Sequence, residues 1–118
     1  RLILVGDGEL FEATRNLATA LRLDGAVEFP GPRPPAKVAV LLQGCTAFAQ
    51  HSLEPQFGPM AGEREGTPVA IMEAMMSAVP VISTRHAGIE EIVDEDRSGI
   101  LVDERDVDGM AEAMVRLG

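Results

Sequence analysis

Short apolar runs alternate along the whole chain with longer stretches in which apolar residues recur every three or four positions. A run such as Leu2-Ile3-Leu4-Val5 has the length of a buried strand, whereas the three- and four-residue spacing is typical of an amphipathic helix. We predict strands at residues 2–5, 27–29, 46–50, 80–84 and 100–102, and helices at residues 9–22, 35–43, 67–78, 89–93 and 107–117.

Strands and helices therefore alternate, without the short turns that join antiparallel strands. This alternation predicts a parallel sheet of about five strands covered by helices on both faces, which is a Rossmann-like, doubly wound α/β fold. Ligands of such folds bind beyond the carboxyl ends of the strands. The loops that follow the strands are therefore the candidate sites.

The same pattern predicts how the elements pack and end. In the first helix Gly25 marks the end, and the apolar residues that recur at three- and four-residue steps are Leu10, Ala13, Leu17, Ala20 and Leu21. The third helix is nearly all apolar, so we expect it to be buried with its methionines in the core. Four prolines within residues 30–35 are expected to interrupt regular structure.

Length and composition indicate a globular unit. The chain has 118 residues, of which 46% are hydrophobic and 25% charged, and this suits a single domain over residues 1–118. The longest apolar stretch, near residues 36–42, is broken by Lys37 and is too short to cross a bilayer. Because the sequence opens in an apolar run without an initiator Met or an export signal, we expect a fragment of a longer protein.

Charge and cysteine content argue against several classes of site. The net charge of −9 opposes a phosphate backbone, so nucleic acid is not an expected partner. Cys45, the single cysteine, permits no intramolecular disulfide and fits a buried structural role in a reducing cytoplasm. The acids between Glu90 and Glu112 are interpreted as a solvated surface, and no metal site is expected because no recognised ligand spacing occurs.

The strongest candidate for chemistry runs from Glu65 to Glu73, across a predicted junction of loop and helix. Glu73 is the only formally charged residue between Gly66 and Thr84. A buried carboxylate is costly without a partner, and helical side chains lean toward the N-terminus, so Glu73 is expected to point toward the turn at Gly66 and Thr67. Ribose hydroxyls would supply the missing partner.

The start of the same helix suits a diphosphate. The free amides of Val69 and Ala70, with the helix dipole, form an anion site, whereas Pro68 has no N–H to donate. Structural alternatives stay open for both acids. Glu73 can bind backbone amides or a nearby arginine, and Glu65 can be a solvated loop residue.

Two further turns follow predicted strands. One contains Gly88 and, in the first turn of a short helix, Glu91, while Arg85 and His86 beside them could face phosphates or a sugar, or be solvated. The other is Gly6-Asp7-Gly8-Glu9-Leu10-Phe11, which begins like the dinucleotide fingerprint but has phenylalanine in place of the third glycine. That difference argues against a nicotinamide site.

Together these segments resemble the C-terminal domain of family 4 retaining glycosyltransferases, which have two Rossmann-like domains (the GT-B type) with the active site between them. The resemblance covers essentially the whole chain, and the order of the segments makes it specific. In chain order the matching segments are residues 2–8, 27–31, 65–75, 80–81, 88–91 and 98–102.

The resemblance implies transfer of a sugar from a nucleoside diphosphate sugar to an acceptor, with retention of configuration and with neither a cofactor nor an obligatory metal. It makes Glu65 the catalytic residue at the donor sugar and assigns the ribose hydroxyls to Glu73. The other donor-binding positions that it implies, from the diphosphate to the base and the cleft, are Gly66, Thr67, Val69, Ala70, Gly8, Phe29, Gly31, Gly88 and Glu91.

Residues 54–64 and 83–89 resemble the exopolysaccharide or colanic-acid type of this family, with Ala78 and Ala87 standing where glycine is usual. The resemblance also implies a partner, an N-terminal acceptor domain that is missing here together with basic phosphate-binding residues preceding Leu2. We therefore expect weak donor binding and no turnover from the fragment alone. The implied full-length enzyme is cytoplasmic, without a transmembrane segment and compatible with peripheral membrane association.

Two other functions stay open from the residues alone. One is the dinucleotide-binding Rossmann domain of an oxidoreductase, which would use Gly6 and Gly8. The other is a non-catalytic module that acts through protein contacts.

Overall fold

The structure, a computed structural model, describes residues 1–53 and 69–118. These residues form β1 (Leu2–Val5), α1 (Phe11–Ala20), β2 (Val27–Gly31), α2 (Pro35–Gln43), β3 (Phe48–Ala49), α3 (Val69–Met76), β4 (Val81–Thr84), α4 (Ile89–Ile92), β5 (Gly99–Val102) and α5 (Val107–Leu117). All strand pairs among them are parallel. The predicted alternating α/β class is confirmed.

The strands lie in two sheets within two compact units. Arg1–Val38 contains the pair β1-β2, and Ala39–Gly118 contains the three-stranded sheet β3-β4-β5. Helix α2 begins in the first unit and ends in the second. That residues 1–118 make a single domain stays a prediction.

Strand β2 extends further than its sequence predicts, through Pro30 to Gly31. Pro30 has no N–H to donate, but a proline is tolerated here because each strand of a two-stranded sheet has a free edge. The pairing with β1 also shifts register between Ile3 and Val5, so Val5 lies opposite Gly31.

Helix α1 ends at a left-handed residue and not at Gly25. Arg22 has φ 58°, and the N–H of Leu23 donates to the carbonyl of Ala18 at 2.8 Å. The N–H of Arg22 donates to the carbonyl of Thr19 at 3.0 Å. This pair of bonds defines a Schellman motif, which satisfies the last helical carbonyls before the chain reaches Gly25.

The apolar residues that recur with helical spacing along α1 are exposed. Leu10, Leu17 and Leu21 are 74%, 58% and 59% exposed, and the only buried residue of α1 is Ala18. Successive helical residues are about 100° apart, so the leucines lie on a face adjacent to Ala18.

The core of the Ala39–Gly118 unit is built around β4. All four residues of β4 are buried, so both faces of this central strand are covered. On one face Met110 and Ala113 of α5 pack with Ile82 and Val102. Asp106 caps α5 by accepting the N–H of Gly109 at 2.8 Å.

The expectation that α3 is wholly buried is also wrong. Only Ile71 and Ala74 are buried, whereas Val69, Met72 and Met76 are 68%, 47% and 87% exposed. A helix has one side toward its sheet, so an all-apolar sequence does not bury the other side unless a second element covers it. Met72 and Met76 are therefore not core residues.

Two smaller expectations concern Cys45 and the membrane. Cys45 is half-buried, and its thiol donates to the carbonyl of Leu41 at 3.1 Å, in agreement with a structural role. No helix within residues 1–53 and 69–118 is long and apolar enough to cross a membrane.

Candidate functional site

The carboxyl ends of β3, β4 and β5 lie at one edge of the sheet in the Ala39–Gly118 unit, because the three strands are parallel. Helix α3 connects the end of β3 to the beginning of β4, so its first turn starts at this same edge. A helix that connects two parallel strands runs back along the sheet, so Val69 and Ala70 are expected at the edge where the Gly88 turn leaves β4. This is the edge at which doubly wound folds bind ligands.

Three predicted site residues, Glu65, Gly66 and Thr67, lie outside the described residues. Their predicted roles at the donor sugar and the diphosphate stay predictions.

The carboxylate of Glu73 is exposed, so the expectation of a buried, unpartnered acid on α3 is wrong. The exposed face of α3 that carries Met72 and Met76 also carries Glu73. A ligand can reach this side chain, but because water solvates the carboxylate, it does not need a ligand as a partner. The predicted role of Glu73 therefore depends on the family resemblance. At the start of the helix Val69 is exposed and Ala70 half-buried.

Neither Arg85 nor His86 has the surroundings expected of a free phosphate ligand. The guanidinium of Arg85 donates to Glu95 at 2.9 Å and to Asp103 at 3.1 Å. His86 is 1% exposed, and its Nδ1 lies 2.5 Å from Oε1 of Glu104. The cationic and imidazole groups are thus engaged by acids that were interpreted as a merely solvated surface.

The turn after β4 is fixed at both of its ends. Ile89 is fully buried, and its N–H donates to the carbonyl of His86 at 3.1 Å. Between them Ala87 has φ 47° and Gly88 is half-buried. Glu91 follows on the exposed side of α4.

A cavity of about 480 Å³ lies beside α4. Its walls are largely charged and include the predicted donor-binding residue Glu91. The lining consists of Arg85, Glu90, Glu91, Ile92, Val93, Asp94, Glu95 and Leu101.

Polar groups at or just past the ends of the three strands tie these ends together. The hydroxyl of Ser83 donates to the carbonyl of Gln50 at 2.7 Å, and the hydroxyl of Thr84 donates to the carbonyl of Ser52. Nε2 of His51 accepts the N–H of Arg105 at 2.9 Å. Sequence reasoning missed these contacts, although polar side chains following apolar strands were a signal that could have identified them.

The Arg1–Val38 unit brings Gly8, Phe29 and Gly31 into one region. Gly31 has φ 79°, and its carbonyl accepts the N–H of Gly6, which has φ 129°, at 3.1 Å. Such angles favour glycine at both positions. The carbonyl of Gly8 accepts the N–H of Phe11 at 3.0 Å and so leads the chain into α1.

Phe11, which replaces the third glycine of the dinucleotide fingerprint, packs against Phe29. The two ring centroids are 5.9 Å apart in an edge-to-face arrangement with an interplanar angle of 86°. An aromatic contact thus occupies the place where a dinucleotide fold needs close approach of helix and strand. Gly6, with φ 129°, is accounted for by the turn itself.

The described residues also offer no obvious metal site. Within 1–53 and 69–118, no group of three or more His, Cys, Asp and Glu side chains is arranged to hold a metal ion.

Comparison with known proteins identifies the family. The family model described as glycosyl transferases group 1 matches residues 1–118. The colanic acid biosynthesis glycosyltransferase WcaL of Escherichia coli (strain K12) is 38% identical over 114 residues, which are 97% of this chain and 27% of that protein. The amylovoran biosynthesis glycosyltransferase AmsK of Erwinia amylovora is 32% identical with the same coverage.

A solved structure extends the comparison to the fold. Anabaena Alr3699/HepE in complex with UDP matches with a TM-score of 0.77 and 27% identity, over 97% of this chain and 30% of that chain. The same protein has been solved with UDP-glucose. The chain spans about a quarter of the length of the curated relatives it matches. Because the family model matches the chain from end to end, this protein chain belongs to the group 1 glycosyl transferases.

Proposed function

We propose that this chain is the donor-binding part of a longer, two-domain retaining glycosyltransferase. It binds a nucleoside diphosphate sugar, and the acceptor is held by an N-terminal domain outside the chain. The observation that carries the proposal is the fold match over 97% of the chain to Anabaena Alr3699/HepE in complex with UDP. A UDP-glucose complex of that neighbour supports the sugar nucleotide as the ligand class.

The first turn of α3 is proposed to bind the diphosphate. Transfer breaks the bond between the anomeric carbon and the diphosphate oxygen, so negative charge grows on the leaving group. The amides of Val69 and Ala70, at the positive end of the helix dipole, would stabilise that charge. Gly66 and Thr67 would also bind the donor, and Glu65 would act at the donor sugar.

The remaining donor contacts are proposed at the ends of the parallel strands. Glu73, which solvent and ligand can reach, would bind the ribose hydroxyls. Phe29 and Gly31 would border the base and Gly8 the cleft, while Gly88 and Glu91 would contribute from the turn after β4. No cofactor takes part in this scheme, because cleavage of the bond between the sugar and its diphosphate leaving group supplies the energy for transfer.

The names of the relatives indicate a biosynthetic role. WcaL and AmsK are named for the biosynthesis of colanic acid and amylovoran. We propose that the complete enzyme likewise transfers a sugar during polysaccharide biosynthesis in the cytoplasm, with peripheral membrane association bringing it to its acceptor.

The oxidoreductase alternative is not favoured, because Phe11 packs where the dinucleotide fingerprint requires glycine.

The test is a titration of the complete protein with a panel of nucleoside diphosphate sugars that includes UDP-glucose, followed by isothermal calorimetry. We expect saturable binding of at least one donor, with competition by the corresponding nucleoside diphosphate. Titrations with NADH and with flavin serve as controls for the oxidoreductase alternative. If none of the donors binds, the proposal is contradicted.

A further inference from the structure

His86 combines two properties that are unusual for a residue in a loop after a strand. It is 1% exposed, and its imidazole forms a hydrogen bond with a carboxylate from a different loop. A carboxylate can only accept, so Nδ1 of His86 carries the hydrogen and donates to Oε1 of Glu104 over 2.5 Å. Burying a polar ring is costly unless it is bonded, so this contact constrains both loops.

The backbone of His86 anchors the turn that carries two residues proposed to bind the donor. The N–H of His86 donates to the carbonyl of Thr84 at 2.8 Å, and the carbonyl of His86 accepts the N–H of Ile89 at 3.1 Å. Ala87, between the two anchors, has the left-handed φ of 47°, which is unfavourable for alanine. The positions of Gly88 and, on α4, Glu91 therefore depend on where His86 is held.

The Glu104 end of the pair is held by a neighbouring strand end. Glu104 precedes Arg105, which has φ 66° and whose N–H donates to Nε2 of His51 at 2.9 Å. His51 follows β3, His86 follows β4 and Glu104 follows β5. The two histidines thus join the loops of all three strands at the ligand-binding edge of the sheet.

We infer that His86 and Glu104 are positioning residues of the donor site, which never touch the donor but hold the Gly88 turn and Glu91 in their binding geometry. The inference rests on the proposed function. It assigns to His86 a role different from that of a phosphate or sugar ligand, because a side chain with 1% exposure offers no surface for contact.

The experiment compares removal and retention of this bond in the complete protein, with donor KM, acceptor KM and kcat measured for each variant. His86→Leu fills the space without a hydrogen-bond donor, and Glu104→Ala removes the hydrogen-bond acceptor. His86→Asn keeps an N–H close to the position of Nδ1 and serves as the rescue. Glu112→Ala, which removes an exposed acid from α5, is the matched control for Glu104→Ala.

We expect both removal variants to raise the donor KM about tenfold, because displacing a ligand-bearing turn by a fraction of an ångström weakens every contact it makes. The acceptor KM should not change, and the double variant should be no worse than the worse single one. His86→Asn should stay within about threefold of wild type, and Glu112→Ala should match wild type.

Two outcomes would overturn the inference. One is a folded removal variant with the wild-type donor KM. The other is a fall in kcat at constant donor KM, which is the result of losing folded enzyme. If His86→Leu does not fold, Glu104→Ala and His86→Asn decide the matter. A wild-type protein that binds no sugar nucleotide contradicts the proposed function itself, and the titration above detects that failure separately.

Discussion

Glu73 shows how the meaning of a residue changes once its surroundings are known. From the sequence it is a lone acid in an apolar helix, which indicates a buried carboxylate in need of a partner. In the structure it lies on the exposed side of α3 with two methionines. Because Glu73 is exposed, it can contact a ligand but does not need one. A substitution is therefore needed to test whether it binds the donor.

Glu73→Gln in the complete protein is expected to raise the donor Kd about tenfold or more, because a charged acceptor to the ribose hydroxyls becomes a neutral one. Calorimetric titration with the best donor measures the change. Glu112→Gln, the same chemical change at an exposed position of α5, should leave the Kd unaltered. Wild-type affinity in Glu73→Gln would remove this residue from the donor site.

Ala78 and Ala87 both adopt left-handed backbone angles, with φ 58° and 47°. Such angles favour glycine, which accounts for glycine being usual at these two positions in the family that the sequence resembles. At Ala78 the backbone closes α3, since the N–H of Val79 donates to the carbonyl of Ala74 at 3.0 Å. The turn forms with alanine, but alanine makes it less favourable than glycine would.

Ala78→Gly is expected to increase the free energy of unfolding by up to about 1 kcal/mol, because relief of the left-handed strain exceeds the extra entropy of the unfolded chain. Urea unfolding of the variant and the wild type measures this change in the free energy of unfolding. Ala13→Gly, at an exposed right-handed position inside α1, should instead lose roughly 1 kcal/mol. Equal losses at both positions would show that Ala78 carries no backbone strain.

At the scale of elements, the site edge depends on how closely β4 and β5 pair. Gly99 lies opposite Val81, and a β-carbon at Gly99 would fall 2.1 Å from the carbonyl oxygen of Val81. The strands can keep this register only if residue 99 has no side chain. The same pairing positions Arg85, which remains in register with Val102 through a backbone hydrogen bond of 2.9 Å.

Gly99→Ala is expected to lower the free energy of unfolding by roughly 2 kcal/mol or more, because the overlap is with backbone that cannot move without breaking the ladder. Gly25→Ala is the matched control, since a β-carbon there would meet nothing within 4 Å. Thermal unfolding of the two variants distinguishes them. Similar melting temperatures would mean that β5 shifts to accept the side chain.

At the scale of the whole molecule, the chain carries a net charge of −9 and is proposed to bind an anionic donor. The dipole of a single helix compensates only a small part of that charge. The resemblance assigns the basic phosphate ligands to a part of the enzyme that precedes this chain. Binding and turnover are therefore expected to require the complete protein.

Residues 1–118 alone are expected to bind the best donor at least about tenfold more weakly than the complete protein, and to release no nucleoside diphosphate from it. Calorimetry measures the first quantity and chromatography of the nucleotide the second. Equal affinity for both proteins would mean that the phosphate ligands lie within this chain.

Much of the fold was predictable because it depends on local pattern. The bounds of β1, α2 and α5 agree with the apolar runs and the helical spacing, and β4 was predicted to within one residue. Burial was less predictable. The leucines of α1 and the methionines of α3 have the spacing of core residues, yet most are exposed, because burial depends on which neighbour covers each face.

The sequence alone determined the alternating α/β class, the order of the elements and the family, because periodicity and ordered motifs are properties of the chain itself. Only the tertiary structure decided that Glu73 is exposed, that Arg85 binds two acids and that His86 is buried against Glu104. Parallel strands bring together loops that are distant along the chain, and His86 and Glu104 are 18 positions apart. No local pattern specifies which side chains will meet there.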